Sequence, residues 1–132
     1  MDKSRRNSLA TQIFDCVREV HSWTGPGILA EVFKNCLAHE IRLRGIRFRM
    51  NAAVPVNYKG IKIDEKLFAD FIIEEEIAIE VITGKRFTDI HHSKLNTILF
   101  FSGHSLGILI DPTETRIIDG FKKIPNPKKL SV

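Results

Sequence analysis

Cysteine and the polar aromatics are scarce in this sequence: two Cys, one Trp and one Tyr among 132 residues. Two thiols make no disulfide framework, and a chain of this length can bury a core without covalent staples. Cys16 and Cys36 both fall inside apolar helical patterns, where a free thiol packs as a small hydrophobe. The expectation is two reduced cysteines in a cytoplasmic protein. With Trp23 and Tyr58 standing alone, there is no aromatic platform for stacked bases. No apolar run approaches the roughly 18 residues of a membrane span. The opening MDKSRRNSLATQIF has basic residues with no continuous apolar stretch behind them, so no secretory signal is expected. At 43% apolar and 27% charged, the composition is that of a globular domain and not of a disordered chain. The net charge of +4 permits a polyanion partner without demanding one.

The apolar pattern gives two helices first. Leu9, Ile13, Cys16, Val17 and Val20 mark one helical face between Ser8 and His21, with Asn7 or Ser8 as the expected cap. The run SWTGPG breaks it. A second helix is expected from near Pro26 or Gly27, carrying Leu29, Val32, Phe33, Cys36, Leu37 and Ile41 and ending at Gly45. Beyond Gly45 the period becomes two: IRFRMNAAVPVNY alternates, a turn falls at Lys59-Gly60, and FADFII and IAIEVI are spaced to form a hairpin around Glu74–Glu76. That EEE turn reads as solvated. A third helix from about Thr88 to Ser102 turns Leu95, Ile98 and Leu99 to one side, and LGILID and ETRIIDG read as two further strands. KKIPNPKKLSV, from about residue 120, is expected to fray. The order implies a single α+β or α/β domain over residues 1–132, a central mixed sheet flanked by helices. The third helix is the crossover between parallel strands.

Asp70 and Glu80 stand out because each interrupts an apolar strand. A buried carboxylate is costly unless it is paired, hydrogen-bonded or bound to a metal. If the two strands pair as a hairpin, the carboxylates converge, and two oxygen ligands are what Mg²⁺ or Mn²⁺ accepts. The alternative is that one or both sit at a strand end and face water.

The succession VH…GPG, HEIRLRG, FADFII, IAIEVI and HHSKLNTILFFSGHSLGILID resembles the GxxExxY family of the PD-(D/E)XK nuclease-like superfamily, over roughly Ser8 to Ile118. The resemblance implies a restriction-endonuclease-like core and a Mg²⁺- or Mn²⁺-dependent phosphodiesterase acting on nucleic acid. In that chemistry carboxylates hold the ion, and a lysine stabilises developing charge. By the resemblance, Asp70 and Glu80 are the metal ligands. Position 82, where the family has lysine, is Ile82. Of the family's signature Gly-x-x-Glu-x-x-Tyr, Gly27 stands, while Ala30 and Phe33 replace the glutamate and the tyrosine. Glu31 is a poor stand-in for Ala30, because one step along a helix rotates a side chain by about 100°. Lys94 stands where the family has glutamine.

Two readings follow. Either the catalytic cation migrated to Lys94, which shares a helical face with His91, Ile98 and Phe101, or the site has decayed and Lys94 neutralises Asp70 and Glu80. Weak or lost activity needs fewer coincidences, since nothing repairs position 30. The alternative to an enzyme is a silent module that binds nucleic acid or a protein through the old cleft and the basic run Arg42, Arg44, Arg47 and Arg49. That run reads equally as a solvated face. A homodimer is compatible with a small nuclease-like fold. His91 with Asp70 and Glu80 makes a less favoured metal site, His21 is expected beside the GPG turn, and GPG itself is a tight turn and not a phosphate loop. Lys122, Lys123, Lys128 and Lys129 form a second basic candidate.

Overall fold

A computed structural model describes residues 1–84 and 87–127. Two helices open the chain, α1 (Lys3–Thr24) and α2 (Ala30–Leu43). Three strands follow, β1 (Phe48–Tyr58), β2 (Ile61–Ile73) and β3 (Ile77–Val81). Then come α3 (Asp89–Ser102), β4 (Leu106–Ile110), a 3-10 turn (Ile117–Gly120) and β5 (Phe121–Pro125). The strands form one sheet in the order β1-β2-β3-β4-β5. β3 and β4 run parallel on either side of α3, and every other neighbouring pair is antiparallel. The fold is therefore the mixed sheet with flanking helices that the alternating patterns imply.

Apolar alternation divides the sheet between two cores. Phe71, Ile79 and Ile108 face Ile13, Cys16 and Val17 of α1 and Phe33, Leu37 and Ile41 of α2. Ile72, Ala78 and Leu109 face Leu95, Ile98 and Leu99 of α3. Helices thus cover both faces, and all five residues of β4 are buried, as befits a strand inside such a sandwich. No described helix is long and apolar enough to cross a membrane.

Two helix starts differ from the pattern, and a third agrees with it. α1 begins well before Ser8, because Asp2 caps it by accepting from the Arg5 N–H at 2.8 Å; neither Asn7 nor Ser8 serves as the cap. α2 begins at Ala30, later than Pro26, since Leu29 is still extended and Gly25 turns the chain at φ +72°. α3 starts where expected, with Thr88 and His91 forming a capping box, and stops at Gly103 in the left-handed region. Both cysteines are free; Cys16 is buried but Cys36 only half-buried.

The last strand is a correction. ETRIIDG does not extend along β4; it turns and coils, burying Ile117 against the first core and exposing Ile118. A side chain at Gly120 would collide with the Asp111 carbonyl, so the backbone passes too close there for a regular ladder. β5 comes instead from the segment expected to fray. Phe121 pairs with Ile110 and packs edge-on to Phe14 at 4.9 Å, and Ile124 enters the second core. Pro125 is tolerated because β5 is an edge strand. Buried Asn126 then ties the strand's end down, donating to the carbonyls of Leu99 (3.1 Å) and His104 (2.9 Å). Lys122 and Lys123 lie exposed on β5, whereas Lys128 and Lys129 fall outside the described residues.

α3 packs closely enough on β4 to dictate a residue. A Cβ at Gly107 would sit 2.7 Å from Leu95 Cδ2 and 3.1 Å from Leu99 Cδ1, and both leucines are fully buried. Gly107→Ala should therefore overpack this layer and cost about 1–3 kcal/mol in urea unfolding; an unchanged unfolding midpoint would mean that α3 yields freely.

Candidate functional site at the end of the β2–β3 hairpin

The β2–β3 ladder runs through the Phe71–Ile79 pair, and Asp70 and Glu80 come one step beyond it. There the carboxylates replace the ladder. The Val81 N–H donates to Asp70 Oδ2 at 2.7 Å, and the Asp70 N–H donates to Glu80 Oε1 at 3.3 Å. Each acid thus satisfies a backbone donor of the other's strand. The two carboxylates do converge, and neither simply faces water.

A third residue joins them from the other layer. Lys34 of α2 brings its ammonium to 3.0 Å from Asp70 Oδ1 and 3.1 Å from Glu31 Oε1, with only 13% of its side chain exposed. Burial alone would depress the Lys34 ammonium, but its hydrogen bonds to Asp70 and Glu31 outweigh that and hold its pKa above the ordinary value. Glu80 moves upward as well, to about 8, first because burial disfavours its charge and second because Asp70 repels it. The signal for Lys34 was present in the sequence. It lies four residues after Ala30 and so on the same helical face, but its partner is set by how α2 crosses the sheet. Glu31 bears on the site only through Lys34.

On the α3 side, Glu80 opens into a cavity of about 310 Å³ whose walls include Leu67, Phe68, Ile82, His91, Lys94 and Thr97. Lys94 therefore does point into the cleft that Glu80 faces, and its charge pulls the Glu80 pKa downward, though less than burial and Asp70 push it up. The ion pair to Asp70, however, belongs to Lys34 and not to Lys94. His91 also lines the cavity, but its Nδ1 accepts from the Thr88 N–H at 3.2 Å as part of the helix cap. His21 meets the GPG turn through its backbone, its carbonyl accepting from the Gly25 N–H at 2.8 Å, while its ring Nε2 lies 2.9 Å from the Glu114 carbonyl.

The basic run is largely occupied. Arg49 makes a two-pronged pair with Glu75 at 2.7 and 3.0 Å, and Arg47 reaches Glu74 at 3.2 Å. Arg44 lies 3.9 Å from Asp15, and the Arg42 guanidinium sits 5.2 Å over the Phe48 ring. The acidic turn is correspondingly no solvated loop, since Glu76 also pairs with Arg6 at 3.2 Å in a largely buried contact.

These side chains do not fit a divalent ion as they stand. Asp70 has one oxygen on an ammonium and the other on a backbone donor. Positions 30 and 82 carry Ala and Ile, which have no ligand atom. Among the described residues, no three His, Cys, Asp or Glu gather into a group able to hold a metal.

The Glu80 shift has a stability consequence with a definite sign. Its folded pKa of about 8 lies above the ordinary 4.5, so the folded chain retains a proton that the unfolded chain gives up first. Stability contributed by neutral Glu80 is then present below 4.5 and lost as pH rises toward about 8. In thermal melts across that window, Glu80→Gln should lose less Tm than the wild type; parallel curves would mean that Glu80 is ionised throughout.

The fold finds counterparts among known proteins. The family model described as the PD-(D/E)XK nuclease superfamily matches residues 7–124. No curated protein matches the chain. The crystal structure of SSO0001 superposes with a TM-score of 0.55 at 23% identity, covering 89% of this chain and 66% of that protein. The chain thus spans slightly less than two thirds of SSO0001, and the likeness is one of fold. The match over residues 7–124 takes in both core layers, the β2–β3 hairpin and the crossover helix; the chain belongs to the PD-(D/E)XK nuclease superfamily.

Proposed function

We propose that this chain is a nuclease-fold protein of the GxxExxY type in which metal-dependent phosphodiester hydrolysis has been lost, and whose cleft is kept to bind a nucleic-acid strand. The observation that carries this reading is the Lys34 ammonium 3.0 Å from Asp70 Oδ1. It stands beside an acid the superfamily commonly uses for a divalent ion. Ala30, Phe33 and Ile82 are the apolar substitutions such a loss leaves behind.

The cleft retains what strand binding needs. Lys94, His91 and Thr97 offer a cation and polar hydrogens along one wall. Phe68, which a count of Trp and Tyr alone passes over, also lines it with 60% of its surface exposed and offers a face on which a base can stack. The Arg42–Arg49 run contributes less than its sequence suggests, because Arg47 and Arg49 already hold Glu74 and Glu75.

One observation favours an active hydrolase instead: Lys94 and Glu80 line the same cavity, as a migrated catalytic cation requires. Labelled single- and double-stranded DNA and RNA, incubated with Mg²⁺ or Mn²⁺, separate the two readings. No cleavage is expected, together with salt-weakened strand binding that Lys94→Ala reduces and Asp70→Ala leaves intact. Metal-dependent cleavage abolished by Asp70→Ala and by Lys94→Ala would overturn the proposal in favour of the hydrolase. Absence of any strand binding would overturn the cleft's assigned role.

A further inference from the structure

The Lys34 ammonium is not an ordinary surface partner. It has two carboxylate oxygens close by, Asp70 Oδ1 at 3.0 Å and Glu31 Oε1 at 3.1 Å, and Glu80 interlocks with Asp70 on the next strand. Two acids from two elements therefore hold one tethered cation, Glu31 from α2 and Asp70 from β2, while Glu80 of β3 reaches it only through Asp70. Two carboxylates facing each other across a hairpin repel, and a positive charge between layers relieves that repulsion. Any cation of suitable size would do so. Lys34 does it at the high effective concentration that its own helix provides.

We propose that Lys34 Nζ is a built-in replacement for a divalent cation, and that it closes a latent metal site whose ligands are Asp70 and Glu31, with Glu80 behind them. This deepens the reading that hydrolysis has been lost, and it assigns Glu31 a role that the spacing from Gly27 does not suggest. Removing the ammonium leaves oxygens of Asp70 and Glu31 about 3 Å on either side of the vacated point, and an ion there draws them inward to the roughly 2.1 Å typical of such bonds. Glu31 is on the exposed side of α2, so its carboxylate is free to make that adjustment.

Mn²⁺ binding, read by the loss of the free-ion electron paramagnetic resonance signal, tests this on the intact chain. The wild type should bind Mn²⁺ at least about tenfold more weakly than Lys34→Ala, whose single new site is lost again in Lys34→Ala/Asp70→Ala and weakened in Lys34→Ala/Glu31→Ala. A folded Lys34→Ala protein that binds no more tightly than the wild type overturns the proposal. If Lys34→Ala does not fold, Lys34→Gln keeps the length of the side chain without its charge, and the wild type gives an independent reading. Its Tm should be insensitive to Mn²⁺, and a rise with added metal overturns the proposal without any variant. The readout involves no nucleic acid. Failure of strand binding or discovery of cleavage would strike the functional reading, and only equal metal affinity strikes this one.

Discussion

Asp70 is held at both oxygens, and much of the hairpin's end depends on that. One oxygen takes the Val81 N–H and the other the Lys34 ammonium, so a single side chain joins β2, β3 and α2. A carboxylate in so confined a place would be costly if it lacked either partner. Glu80 answers by taking the Asp70 N–H, and the backbone donors left where the ladder stops are satisfied. The same arrangement makes the pair unequal. Asp70 has a cation in contact, whereas Glu80 is buried beside a like charge and holds its proton to about pH 8.

The other end of the hairpin is fixed by a second set of charges. Glu74 and Glu75 both adopt φ +51°, a left-handed conformation that favours glycine and costs a residue with a Cβ. The cost is offset locally. Glu74 exchanges hydrogen bonds with the Arg47 backbone, its N–H donating to the carbonyl at 2.9 Å and its carboxylate accepting from the Arg47 N–H at 3.0 Å. Glu75 takes Arg49, and that ion pair holds its carboxyl below the usual range. Glu76 reaches Arg6 of α1. Two of the arginines that looked like a phosphate-binding face, Arg47 and Arg49, thereby anchor a strained turn to the start of β1, and Arg6 anchors it to α1.

Beyond the Asp70–Glu80 end, away from the acidic turn, lies the cleft, bounded by Glu80, Lys94, His91 and the exposed Phe68. Its character is mixed: one acid deep inside, one lysine opposite, and apolar walls contributed by Leu67, Ile82 and Ile98. Superfamily membership describes the fold around this cavity. Of the positions that depart from the family pattern, Ile82 and Lys94 line it, whereas Ala30, like Lys34, belongs to α2 on the other face of the sheet.

The sequence by itself determined the three helices, the β1–β2 and β2–β3 hairpins and the buried acids, because each is a local statement. Apolar spacing of three and four turns one helical face inward, a period of two does the same for a strand, and an acid within an apolar run must find a partner. It did not determine β5, since FKKIP carries two lysines and a proline, and only the open edge of β4 makes a strand of it. Nor did it determine which lysine meets Asp70. Lys94 and Lys34 are equally charged and equally placed on their helices, and the choice depends on where α2 and α3 cross the sheet. An ion pair is decided by a distance of about 3 Å between residues 36 positions apart, and such a distance exists only once the layers have packed.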